Sequence, residues 1–219
     1  MQKIVILFAL FLTIGITAFF FKPTRGLIIT SYNHLRPHLL PDGGESCIGQ
    51  MNARGIIFTH LGDIRDGSCQ IKNATRISRF SNTKINGNVT LSCQSAVKVD
   101  SWLQSISASS IQHIGAYNCR TQRTSSLISE HGYGTAIDIT AINGALVGQD
   151  WGRPTLNGKI LEKAFIKACE HFTNVVGPDD NSLHANHFHL DTGLGLGCHL
   201  KLFTSELPKK IQTIFGAAH

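Results

Sequence analysis

The chain has 219 residues, 42% of them hydrophobic, and a formal charge of +6. That length holds one well-buried domain and excludes two comfortable ones. The positive residues are scattered, with no Lys/Arg run interleaved with aromatics, which argues against nucleic acid as a partner and leaves a weak bias toward an anionic polymer.

From Ile4 to Phe21 no charged residue occurs, and Lys22-Pro23 closes the stretch. Its length suits a short membrane span and is long for the core of a cleaved signal, and Phe19-Phe20-Phe21 follow Ala18 where a signal peptidase needs small residues. Residues 1–22 are therefore expected to be an uncleaved anchor, with a cleaved signal as the alternative; in either case the body of the protein is exported. Pro37, Pro41 and Gly43-Gly44 mark 23–46 as a linker. The domain is expected over 47–200, followed by a tail over 201–219.

Six cysteines, with no Cys-x-x-Cys among them, fit three disulfides better than a thiolate metal site. Pairing neighbours gives Cys47–Cys69, Cys93–Cys119 and Cys169–Cys198. Between Cys47 and Leu91 the apolar residues come in short pieces, Gly55 to Phe58 and Ile71 to Phe80, which read as strands and turns. Ala96, Val99, Leu103 and Ile106 then recur at helical spacing, and Ser92 can cap a helix over Cys93 to Ser107. A strand is expected over Ile111 to Tyr117, a hairpin near Asn143-Gly144 and Trp151, and a second helix from Lys159 to Val175. Segregated strands and helices make the fold class α+β, a small antiparallel sheet with flanking helices.

Two stretches carry the chemistry, Ser129 to Asp138 and His184 to Asp191. His131 and Asp138 are an odd number of residues apart, so they cannot share a face of one flat strand. His131 belongs instead on a loop leading into the strand that carries Asp138, with Gly134 allowing the turn. His187 and His189 share a face of the second strand; one can bind a metal while the other stands beside it as a proton carrier. Two imidazoles and a carboxylate make a three-ligand zinc site with one position open, the arrangement of a hydrolytic centre.

Ser129-x-His131-x-x-Gly134-x-Ala136-x-Asp138 with His187-x-His189 resembles the signature of the LAS zinc peptidases, which include murein endopeptidases, D-Ala-D-Ala carboxypeptidases and the related hedgehog domain. Ala116 to Arg120, Ser129 to His131, Asp150-Trp151 and His187 to Asp191 resemble more closely the bacterial extensin-like C-terminal family, over about Cys47 to Cys198. The resemblance implies a hedgehog/DD-peptidase-like fold and Zn2+ held by His131, Asp138 and His189. It leaves His187 as a catalytic group, and it implies peptidoglycan peptides as substrate. It also implies a bacterial inner-membrane protein with one N-terminal membrane helix and a periplasmic domain, or one secreted to the periplasm.

Asn186 stands where several LAS enzymes carry an acidic base. An amide cannot take a proton, so that duty passes to His187 or His184, or the site binds without turnover as a zinc-stabilised binding module. Arg120 is the candidate cation for a substrate carboxylate or oxyanion, with Arg123 as its rival. Ser129 and Glu130 are expected to shape the approach to His131, and Asp191 either holds a histidine tautomer or ends a strand. His113 and His199 have no partner at ligand spacing.

Overall fold

The computed structural model describes residues 22–39, 44–123, 125–194 and 197–198. Helix α1 (Lys22–Leu39) fills most of the stretch expected to be a linker. Pro23 falls in its first turn, where a missing N–H loses no helical bond, and Pro37 in its last, where the helix ends two residues later. A second helix, α2 (Gly44–Ala53), buries Cys47 and Met51.

The expected single-pass inner-membrane placement does not stand. Among the described residues no helix is long and apolar enough to cross a membrane. The anchor expected over 1–22 lies, Lys22 apart, outside the described residues, as do His199 and the tail over 201–219.

Three long strands follow: β1 (Ile57–Asp66), β2 (Cys69–Arg79) and β3 (Lys84–Ser92). On β2 the buried pairs Cys69 and Ile71, then Thr75 and Ile77, keep the two-residue period on either side of Asn73, whose φ is 47°. Ser92 ends β3 and caps α3 (Cys93–Ser105), its Oγ accepting from Ser95 N at 3.3 Å, as its position before the apolar repeat predicts. Cys93, Ala96, Val99, Trp102 and Leu103 form the buried stripe of α3.

Because α3 carries the chain across the sheet, β4 (Ser110–Gly115) returns parallel to β3. The sheet is thus mixed, with eight strands, where a small antiparallel one was expected. Two residue pairs, Lys84 with Ser110 and Ile85 with Ile111, join β3 to β4. Beyond them the Asn86 amide stands in for the next rung, donating to His113 O at 3.1 Å and accepting from His113 N at 2.7 Å.

Strand β5 (Ala136–Ile142) pairs antiparallel with β4, turns at Asn143-Gly144 into β6 (Ala145–Leu146), and passes through the short α4 (Val147–Asp150) to α5 (Leu156–Ala168). Thr155 Oγ1 caps α5 by accepting from Gly158 N at 3.2 Å, and Trp102 Nε1 ties α3 to it by donating to Ala164 O at 3.0 Å. This helix stops well short of Val175, because Asn174–Val176 is a strand, β7, paired with β8 (Phe188–Asp191). Phe172 fits the helical spacing yet reaches the core from the turn between α5 and β7, where its ring meets Trp102 edge-on. The strand order is β1-β2-β3-β4-β5-β8-β7, with β6 beside the far half of β5.

All six cysteines are bonded: Cys47–Cys93, Cys69–Cys119 and Cys169–Cys198. The last is the expected pair; the other two correct Cys47–Cys69 and Cys93–Cys119. Cys47 lies on α2 against the first turn of α3, which brings it to Cys93. Cys69 opens β2 beside the loop after β4, which brings it to Cys119.

Candidate metal centre

Asp138 and His189 sit directly opposite each other in the β5–β8 ladder, so their side chains leave the sheet on one face. His131 reaches the same face from a turn of 3-10 helix, Glu130–Tyr133, just before β5. Ser129 Oγ caps that turn by accepting from His131 N at 3.4 Å. Gly134 ends it in the left-handed conformation, φ 63°, where a Cβ would lie 2.9 Å from Ile71 Cδ1 and 3.0 Å from Ser92 N. Neither backbone angle nor space admits another residue there.

His131 Nε2 lies 3.2 Å from His189 Nδ1 and 3.3 Å from Asp138 Oδ2, and His189 Nδ1 lies 2.9 Å from Asp138 Oδ1. Four donors about 2.0–2.1 Å from a zinc ion stand roughly 3.3–3.4 Å apart at the corners of a tetrahedron, so these three already have nearly that spacing. Among the described residues these are the side chains whose ligand atoms gather within 4.8 Å.

The outer nitrogens decide what the inner ones offer. His131 Nδ1 donates to Ala116 O, and His189 Nε2 donates to Asp191 Oδ2 at 3.1 Å, which leaves the lone pairs of His131 Nε2 and His189 Nδ1 facing inward. Asp191 is itself held, its Oδ1 accepting from Asn174 Nδ2 at 2.9 Å and Gly193 N at 2.8 Å. Two lone pairs and a carboxylate facing one another repel unless a cation lies between them. The residues present therefore fit a metal ion.

The electrostatics carry the same demand for positive charge. Burial opposes a charge on His189, but its hydrogen bonds to Asp138 and Asp191 outweigh burial and hold its pKa up at about 9. Burial likewise pushes the Asp138 carboxyl up, and without a metal the His131 and His189 rings, on taking a proton at their inner nitrogens, more than reverse this and hold it well below the usual carboxylate range.

His187 stands beside the cluster, Nε2 3.9 Å from Asp138 Oδ1. Its Nδ1 donates to Asn186 Oδ1 at 2.9 Å, so Nε2 carries the lone pair, and burial lowers its pKa. His184 is arranged in the same way. Its Nδ1 donates to Asn181 Oδ1 at 2.7 Å, its ring centre is 5.0 Å from that of His187, and burial with the neighbouring His189 and His187 pushes its pKa down to about 4. Both imidazoles are therefore neutral at pH 7 with Nε2 able to accept a proton.

Arg120 lies in the loop that supplies Ala116, and its guanidinium donates to Thr121 O at 3.2 Å; Arg123 is exposed. Neither is seen bonded to the cluster. Both ring nitrogens of His113 are buried without a hydrogen-bond partner among the described residues. Sequence reasoning missed the asparagines that orient His184 and His187. Asn186 was read for the acid it is not, although its place next to His187 was the available signal.

A family model described as the extensin-like protein C-terminus matches residues 45–199. The chain belongs to the extensin-like C-terminal family. No curated protein and no solved structure gives a significant match. His131, Asp138 and His189, with the neighbouring His184 and His187, lie within the matched span of this extensin-like chain, whereas α1 precedes it.

Proposed function

We propose that this extensin-like protein is a zinc-dependent peptidase that hydrolyses peptide bonds in peptidoglycan. What supports the reading is one arrangement: three ligand atoms at tetrahedral spacing with a neutral, oriented imidazole, His187, beside them. The spacing of His131, Gly134, Ala136, Asp138, His187 and His189, which resembles the LAS peptidases, supports both the chemistry and a hedgehog/DD-peptidase type of fold. The positive net charge suits an anionic wall polymer.

His131, Asp138 and His189 would hold the ion. When bound, zinc supplies Lewis acidity and brings the pKa of a water ligand toward about 7. His187 Nε2 accepts the proton of the attacking water and returns it to the leaving amine, with Asn186 Oδ1 fixing its tautomer. His184, one ring further out, relays that proton to solvent or takes the role itself. Arg120 is assigned to the substrate carboxylate.

The test is incubation of the full chain with muropeptides, with and without chelator, products being read by mass. Cleavage that chelator abolishes and zinc restores is expected. A chain that holds stoichiometric zinc and leaves every muropeptide intact refutes the peptidase.

Asn186 favours a second reading, a zinc-stabilised module that binds wall peptides without cleaving them, because an amide occupies the place of an acid and is already engaged by His187. Asn186→Asp raises hydrolysis in an impaired peptidase and changes nothing in a binder.

A further inference from the structure

Helix α1 lies outside the family-matched span, yet one of its side chains is among the most buried charges of the described residues. Arg36 is 2% exposed. Its Nη2 donates to Glu130 Oε2 at 2.8 Å and its Nε to Glu130 Oε1 at 3.3 Å, the two-point geometry of a guanidinium on a carboxylate. Removing one partner of such a buried pair leaves the other charge uncompensated.

Glu130 is the residue before the ligand His131 and belongs to the same turn. Its Oε2 also accepts from Thr135 Oγ1 at 2.6 Å, and its backbone oxygen accepts from both Thr135 Oγ1 and Thr135 N. The carboxylate that Arg36 neutralises thus ties the start of the His131 turn to its end. Asn33, one turn earlier on the same face of α1, grips the chain just before: Oδ1 accepts from Ile128 N at 2.9 Å and Nδ2 donates to Ser126 O at 3.0 Å.

The same carboxylate also touches the second ligand's support. A Cβ at Gly193 would fall 2.4 Å from Glu130 Cδ, so Glu130 packs directly on that backbone. Gly193 N in turn donates to Asp191, the acceptor that orients His189. Arg36 therefore bears on the loop of one imidazole ligand and on the strand end that fixes the other. Its guanidinium carbon also lies 5.5 Å from the centre of the Tyr133 ring, in the same turn.

We propose that α1 is a strap that positions the metal ligands, and that Arg36, acting through Glu130, is a positioning residue for His131 and His189. The inference rests on the metal-centre reading and is independent of what the centre does. It predicts that metal binding by this chain is set in part by residues that precede the matched domain.

The test uses the full chain, with Zn2+ affinity measured by chelator competition and ligand geometry by the visible spectrum of the Co2+ form. Arg36→Ala is expected to weaken zinc binding about 10–100-fold, the usual range for groups that orient a ligand, and to alter the cobalt spectrum. Leu35→Ala, on an exposed position of the same helix, is expected to change neither. Should Arg36→Ala fail to fold, Arg36→Met combined with Glu130→Gln removes both buried charges together and is expected to fold, with the same weakened affinity. Wild-type affinity and an unaltered cobalt spectrum in a folded variant of either kind overturn the strap alone. A wild-type chain that takes up neither ion overturns the metal centre as well.

Discussion

The cation-free cluster ties stability to pH with a sign that can be worked out. His189 rises from 6.5 to about 9 on folding, because Asp138 and Asp191 outweigh the burial that opposes its charge. A raised imidazole pKa stabilises the fold fully below 6.5, where the unfolded ring is also protonated, and the contribution disappears as pH climbs through 9. At about 1.4 kcal/mol per unit, the shift corresponds to about 3 kcal/mol. With a urea slope of about 2 kcal/mol/M, the denaturation midpoint in chelator falls by roughly 1.5 M across that window. Zinc takes the place of this proton, so in saturating zinc the fall is largely abolished, and zinc affinity rises about tenfold per pH unit over the same window as one proton is released per ion. Urea titrations at a series of pH values, with chelator and with zinc, give both quantities. A midpoint in chelator that is level across the window, or a zinc affinity indifferent to pH, refutes the inward-facing lone pairs on which the metal centre is built.

Asp191→Asn keeps an oxygen for Gly193 N and Asn174 but turns an amide donor toward His189 Nε2, so zinc affinity is expected to fall about 10–100-fold in chelator competition, and the metal-free unfolding midpoint at pH 6–7, which the Asp191 carboxylate supports through His189, is expected to fall with it. Gly193→Ala sets a methyl 2.4 Å from Glu130 Cδ and is expected to cost about 1–3 kcal/mol in urea unfolding. Replacing Cys69 and Cys119 together by serine frees a loop with a sequence separation of 50, and loop entropy alone sets the loss at about 4 kcal/mol, read from thermal melts.

The histidine and aspartate cluster was legible because its local spacing carries geometry. An odd separation with a glycine between puts His131 on a turn and Asp138 on a strand, and that is where they are. The choice between His187 and His189 was not in the spacing, since both share a face; it lies in the ladder register, which sets His189 opposite Asp138. The cap at Ser92 was readable for the same local reason, whereas the end of α5 was not, because Phe172 keeps the apolar repeat going after the chain has left the helix. Disulfide partners depend on which elements pack together, and joining neighbours failed for Cys47 and Cys69, whose partners are on α3 and on the loop after β4. Prolines hid α1, since a turn-end proline reads like a linker proline until helix ends are known.

The narrow seam between β3 and β4 divides the sheet unevenly. On one side lie three strands without a ligand; on the other, a continuous run of sequence from β4 to β8 carries every histidine and aspartate of the cluster. Two rungs and one asparagine amide are a weak joint, and the Cys69–Cys119 bond crosses it like a rivet. Without that bond, Ser92 N donating to Gly134 O at 2.9 Å and the core shared by both sides still join the two plates, and the cluster lies wholly on one of them.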